Sequence, residues 1–123
     1  MPRLFVYGTL RRGAANAREL GGAVWEADVR TDNGYALIWK DGYPALVIAA
    51  QGAVTGEVYR TSSDHLTRLD AFEGVPELYR RGVVLLADGS VAEAYFAVVE
   101  DGTAHERLAS GDYFDQPGSA PHR

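Results

Sequence analysis

The order of apolar and polar positions along the chain predicts a strand-rich protein with a few short helices. Residues 3–7, Arg-Leu-Phe-Val-Tyr, form a short apolar run that stops at Gly8, the pattern of a buried strand. From Ala23 onward the pattern alternates. Trp25, Ala27 and Val29 interleave with Val24, Glu26, Asp28 and Arg30, which gives the period of two expected of a strand. Residues 35–39 make a further strand, and Asp41-Gly42-Tyr43-Pro44 supplies turn chemistry before the apolar run 45–50. Gln51-Gly52 interrupts the pattern, residues 54–60 resume it, and residues 79–86 and 91–98 form a hairpin around Ala87-Asp88-Gly89-Ser90.

The clearest helix follows Thr61-Ser62-Ser63-Asp64, where hydroxyl and carboxylate caps are available. It runs to about Phe72; Gly74 suits its C-terminal cap and Pro76 prevents continuation. At 100° per residue, Leu66, Leu69 and Phe72 share one stripe, and Glu73 falls between Leu66 and Leu69. Good helix formers over residues 14–20 predict a short helix, and residues 104–110 a helical turn. Residues 116–123 carry Pro, Gly and Ser without an apolar run, so a flexible tail is expected after a single domain over 1–115. Many strands and few helices argue against a doubly wound sheet. The expected class is α+β, a compact, mixed, mostly antiparallel, barrel-like sheet with short helices outside.

Composition narrows the function. A chain of 123 residues suits one domain with its own core. The net charge of −5 runs against a protein that tracks phosphates, so no nucleic-acid partner is expected, although Arg11-Arg12 and Arg80-Arg81 make local positive spots. The absence of cysteine excludes disulfides, thiol nucleophiles and thiolate metal sites. The apolar run near the N-terminus, residues 4–7, is too short for a signal-peptide core or a membrane span, which leads to the expectation of a cytoplasmic protein without membrane contact. His65, His105 and His122 lack ligand spacing, so no metal is expected. No Gly-x-Ser-x-Gly elbow is present.

Two features carry candidate chemistry. The first is the turn Tyr7-Gly8-Thr9-Leu10-Arg11-Arg12-Gly13, which leaves a strand. A glycine there lets the backbone approach a ligand, and successive N–H groups can cradle an anion. The spacing of Gly8 and Gly13 is that of a phosphate loop, but Ala14-Ala15 stand where lysine and a hydroxyl would be needed, which excludes nucleotide hydrolysis on that pattern. A plain strand-to-loop glycine is the alternative. The second feature is Glu73. A carboxylate turned towards the apolar side of a helix has a raised pKa and suits general acid/base work; the alternative is a solvated glutamate at a helix end. The seven tyrosines read as core or pocket walls rather than as a base-stacking platform, given the acidic balance. Of Arg80 and Arg81, strand alternation turns only one inward, towards Glu73 or a substrate carboxylate.

These segments together resemble the γ-glutamylcyclotransferase-like (AIG2-like) family. The opening Leu4-Phe5-Val6-Tyr7-Gly8-Thr9-Leu10-Arg11-Arg12-Gly13 is similar to its first block. Gly42-Tyr43-Pro44, Gly56-Glu57-Val58-Tyr59, Leu69-Asp70-x-Phe72-Glu73-Gly74, Tyr79-x-Arg81 and Ser110-Gly111-Asp112-Tyr113 follow in the family's order, covering residues 4–115. Tyr-Gly-Thr-Leu with the Phe-Glu pair is most similar to the γ-glutamylamine cyclotransferase type and to small bacterial relatives. The resemblance implies one cavity in a barrel-like fold and a γ-glutamyl small molecule as substrate. It implies that Tyr7, Gly8, Thr9 and Leu10 hold the glutamyl part, with Tyr79, Arg81 and Tyr113 as further binding residues. It implies Glu73 as the proton shuttle in forming 5-oxoproline, with no cofactor. This chain keeps the glutamate that some small bacterial relatives lack, and carries Tyr113 where tryptophan is common. A non-catalytic binding or regulatory domain using the same cavity is the competing expectation. A monomer or weak homodimer is expected.

Overall fold

The computed structural model describes residues 1–99 and 105–115. Seven strands form one mixed, mostly antiparallel sheet: β1 (Arg3–Val6), β2 (Val24–Arg30), β3 (Tyr35–Lys40), β4 (Tyr43–Ile48), β5 (Thr55–Arg60), β6 (Tyr79–Leu85) and β7 (Val91–Ala97). The order is β2-β5-β1-β7-β4-β3, with β6 paired to β7. Among the described residues, only the bridges of β7 to β1 and to β4 are parallel. The sheet curls, so that Thr31, just after β2, bridges to Leu86, just after β6. One α-helix, α1 (Ser63–Glu73), packs on it.

β1 shows why the strands divide the interior. Leu4 and Val6 face the helix side, where they meet Leu10, Leu20, Tyr59, Leu66, Leu69 and Tyr95. Phe5 and Tyr7 face the other side, against Leu37, Leu46, Val58 and Ala94. Period-two alternation thus feeds two cores from one central strand, which explains its unbroken apolar run. The helix starts as its caps predict: the Ser62 side chain accepts from the His65 N–H, and Gly74 ends it in a left-handed conformation at φ 70°.

Four expectations are corrected. Residues 14–20 do not make an α-helix; only a 3-10 turn forms at Ala17–Leu20. Asn16 precedes that turn without a side-chain cap bond, and its amide N–H donates to the Thr9 hydroxyl. Tyr43 and Pro44 belong to β4 rather than to a turn. Asp41 and Gly42 alone turn the hairpin, both at positive φ (53° and 83°), the geometry that matches strand twist. The segment after residue 104 is not helical where it is described. Arg107 bridges to Ile38, and the Leu108 N–H donates to the Leu37 carbonyl, because buried Leu108 belongs to the core beside β3. Phe72 is largely exposed rather than core. The tail 116–123 and residue 104 lie outside the described residues.

Candidate active site

β1 delivers the chain to a turn at Gly8, Thr9 and Leu10, closed by the Arg11 N–H donating to the Gly8 carbonyl at 3.0 Å. Gly8 is required by space and not by a left-handed backbone: a Cβ there would lie 2.7 Å from Pro44 Cγ on β4. Asn16 braces the turn, its backbone N–H to the Thr9 carbonyl at 2.8 Å and its side chain to Thr9 Oγ1 at 3.0 Å. Among the described residues, the N–H groups of Gly8, Thr9 and Leu10 donate to no protein acceptor. Three such donors in a row on a fixed turn are suited to an anion or a developing oxyanion.

Behind the turn lies a buried ionic network. Glu57 on β5, 2% exposed, accepts from Arg11 Nε at 3.1 Å, the Arg12 N–H at 3.0 Å and the Tyr59 hydroxyl at 3.1 Å. Arg11 also donates to Asp112 at 2.7 Å and stacks over the Phe114 ring at 4.0 Å. Arg11 is therefore a strut of the turn, not a positive patch for ligands.

A cavity of about 300 Å³ opens in front of the turn. Tyr7, Gly8, Thr9, Leu10, Glu73 and Tyr79 all line it, so six of the eight residues singled out in the sequence meet in one hollow. Glu73 is the last residue of α1. Among the described residues its carboxylate has no hydrogen bond or ion pair, and burial pushes its pKa up to about 7. Burial also raises the two neighbouring phenols, Tyr79 to about 12 and Tyr7 well above its ordinary value, and the Glu73 charge adds to both shifts. Both tyrosines are thus neutral hydroxyls near pH 7; that of Tyr7 donates to the Tyr95 carbonyl at 2.7 Å.

Arg81 and Tyr113 do not line the cavity. Arg81 is the inward one of the arginine pair, but its guanidinium meets Asp70 on α1 at 3.0 Å and Glu93 on β7 at 2.9 Å, not Glu73. Its charge is already matched. Tyr113 packs edge-on to Trp39, ring centres 6.2 Å apart, as a wall of the core. Sequence reasoning missed Asn16, Lys40 and Asp41, which do line the cavity, and Tyr95 lines it as one of the tyrosines read as core or pocket walls. The Asp41-Gly42 turn was visible as a turn, but its return to the mouth of the hollow depends on the β3–β4 pairing.

Among the described residues, no group of three His, Asp or Glu side chains is arranged to hold a metal, and no helix is long and apolar enough to cross a membrane.

Residues 4–115 match the gamma-glutamyl cyclotransferase, AIG2-like family, and the chain belongs to it. It is 33% identical to the γ-glutamylcyclotransferase family protein YtfP of Escherichia coli, covering 93% of this chain and 97% of that one. It is 40% identical over 93 residues to human γ-glutamylaminecyclotransferase, a match that takes in 68% of this chain and 61% of the human protein. The crystal structure of a mouse AIG2-like protein superposes with a TM-score of 0.73 at 25% identity, over 83% of this chain and 80% of the mouse chain.

Proposed function

We propose that this protein releases 5-oxoproline and a free amine from a γ-glutamyl amine or amide, with no covalent enzyme intermediate. The observation that carries the reading is Glu73: a partnerless carboxylate with a pKa of about 7 in the same hollow as the free N–H groups of the 8–10 turn. The similarity to human γ-glutamylaminecyclotransferase supports the choice of a γ-glutamyl amine.

The substrate's own α-amine is the nucleophile. As its nitrogen bonds to the γ-carbonyl carbon, Glu73 takes a proton from it. The bond from that carbon to the leaving nitrogen then breaks, and Glu73 returns the proton to the leaving nitrogen. One C–N bond forms, one breaks, and one proton is relayed; nothing is oxidised or reduced. The N–H groups of Gly8, Thr9 and Leu10 hold the α-carboxylate or the oxyanion of the tetrahedral state. Confinement in a small cavity favours the folded conformer, a contribution that reaches roughly 7–11 kcal/mol for well-aligned intramolecular attack.

The test is a screen of γ-glutamyl compounds with 5-oxoproline as readout, run beside Glu73→Gln. Release by the wild type and its loss in the variant support the reading. Undiminished turnover by the variant rejects the relay. Ligand-dependent thermal stabilisation without turnover would instead favour a binding domain.

A further inference from the structure

We propose that Asn16 is a positioning residue: through its side-chain amide it fixes the Thr9 hydroxyl as a donor to the ligand oxygen that the 8–10 turn receives. Asn16 thereby gains a role within the cyclotransferase reading, on which its assignment rests.

Asn16 stands at the entrance to the 3-10 turn Ala17–Leu20 but does not cap it with its side chain, the usual use of an asparagine in that position. Both of its backbone groups are engaged. The N–H donates to the Thr9 carbonyl at 2.8 Å, and the carbonyl accepts from the Glu19 N–H at 3.0 Å. The residue is thus anchored to the 8–10 turn on one side and to the 3-10 segment on the other. From that fixed origin its Nδ2 reaches back seven residues to Thr9 Oγ1 at 3.0 Å. Asn16 therefore holds both oxygens of Thr9, the carbonyl through its backbone and the hydroxyl through its side chain.

The polarity of the second bond sets the chemistry. A hydroxyl has one proton to give and two lone pairs to offer, whereas an amide nitrogen only gives. With a lone pair taken by Asn16, the Thr9 proton must go elsewhere, and among the described residues no protein acceptor receives it. Thr9 and Asn16 both line the cavity. The N–H groups of Gly8, Thr9 and Leu10 are likewise without protein acceptors among the described residues. The Thr9 hydroxyl is thus a further donor on a turn that already offers three. A carboxylate or an oxyanion completes such a set with charge-assisted bonds. Turned the other way, as an acceptor, the same hydroxyl would present a lone pair to that charge. Asn16 decides between the two orientations without touching the ligand.

The experiment separates this role from plain bracing of the turn. Asn16→Asp offers only acceptors, so the Thr9 hydroxyl donates to it and the bond survives with its direction reversed. The melting temperature should stay within a few degrees of the wild type's. In contrast, kcat/KM for 5-oxoproline release, measured on the most active γ-glutamyl compound of the screen, should fall roughly tenfold or more, the usual worth of a hydrogen bond to a charged group. Bracing alone predicts that Asn16→Asp keeps both. Thr9→Val removes the hydroxyl and should cost a similar factor, with Thr9→Ser recovering most of it. The decisive comparison is Asn16→Asp in the Thr9→Val background. With no hydroxyl left to turn, the second substitution should cost severalfold less than it does in the wild type. An undiminished cost there would mean that the added carboxylate simply repels the ligand, and it overturns the proposal, as does full activity of Asn16→Asp. If the aspartate variant folds poorly, Asn16→Ala, which frees the hydroxyl without adding charge, repeats the cycle with the same criterion. Calorimetric titration of these proteins with 5-oxoproline reads the grip without turnover. Coupling between residues 9 and 16 in binding, with no turnover of any γ-glutamyl compound by the wild type, upholds the role of Asn16 and rejects the cyclotransferase reading. Turnover without coupling does the reverse, and the absence of both rejects both.

Discussion

Tyr95 on β7 donates its hydroxyl to Asp70 on α1 at 2.7 Å, tying the helix to the sheet one turn before Glu73. Arg81 shares that oxygen at 3.0 Å and donates to the other oxygen of the same carboxylate at 3.1 Å. This clamp holds the end of α1 at the cavity. Tyr95→Phe should lower stability by about 1 kcal/mol, the net worth of one hydrogen bond. It should also lower kcat more than it raises KM, since the lost hydroxyl is bonded to Asp70 and its loss falls on the aim of Glu73. Urea denaturation and 5-oxoproline kinetics check the two effects separately.

Gly8 and Pro44 make a second prediction. Gly8→Ala puts its methyl 2.7 Å from Pro44 Cγ, so the turn must shift. Overpacking of this kind costs roughly 1–3 kcal/mol, and a displaced turn should reduce turnover by about tenfold or more, because reacting geometry tolerates little error. Pro44→Ala removes the atom in the way. The double variant should recover part of both losses, and purely additive losses would contradict the contact.

The pH profile follows from Glu73. The base form is needed to accept the first proton, so kcat/KM should rise about tenfold per pH unit below 7 and level off above it. Stability should move the other way. The folded pKa of about 7 exceeds the ordinary value of 4.5, so the unfolded chain gives up this proton first as pH rises. The contribution is full below 4.5 and falls away between 4.5 and 7, by a few kcal/mol at most, given about 1.4 per pKa unit. Glu73→Gln removes that slope, and its melting temperature should overtake the wild type's as pH approaches neutrality.

The network under the turn gives the largest stability effect. Arg11→Met leaves Glu57, 2% exposed, without its principal cation. Breaking a buried pair from one side costs about 3–5 kcal/mol. Adding Glu57→Gln to that variant should return part of the loss by removing the stranded charge. Thermal and urea unfolding of the wild type and the two variants measure the loss and its recovery.

Local rules are sufficient for much of this protein. The caps at Ser62 and Gly74, the apolar alternation of β1 and β2, and the hairpin of β6 and β7 are written in neighbouring residues, because helix ends and strand faces depend on spacing alone. The motifs around Tyr7 and Glu73 marked the two halves of the candidate site for the same reason. Only the tertiary structure decided their partners. Arg81 and Tyr113 turned away from the hollow because Asp70, Glu93 and Trp39, from other elements, satisfy them better. Residues 14–20 form only a 3-10 turn, with Asn16 bonded back to Thr9, and Leu108 exchanged a helical turn for pairing with Leu37. Burial of Glu73 is likewise a property of three-dimensional enclosure. Whether a charge keeps its water depends on residues distant in the chain, and no local pattern encodes that distance.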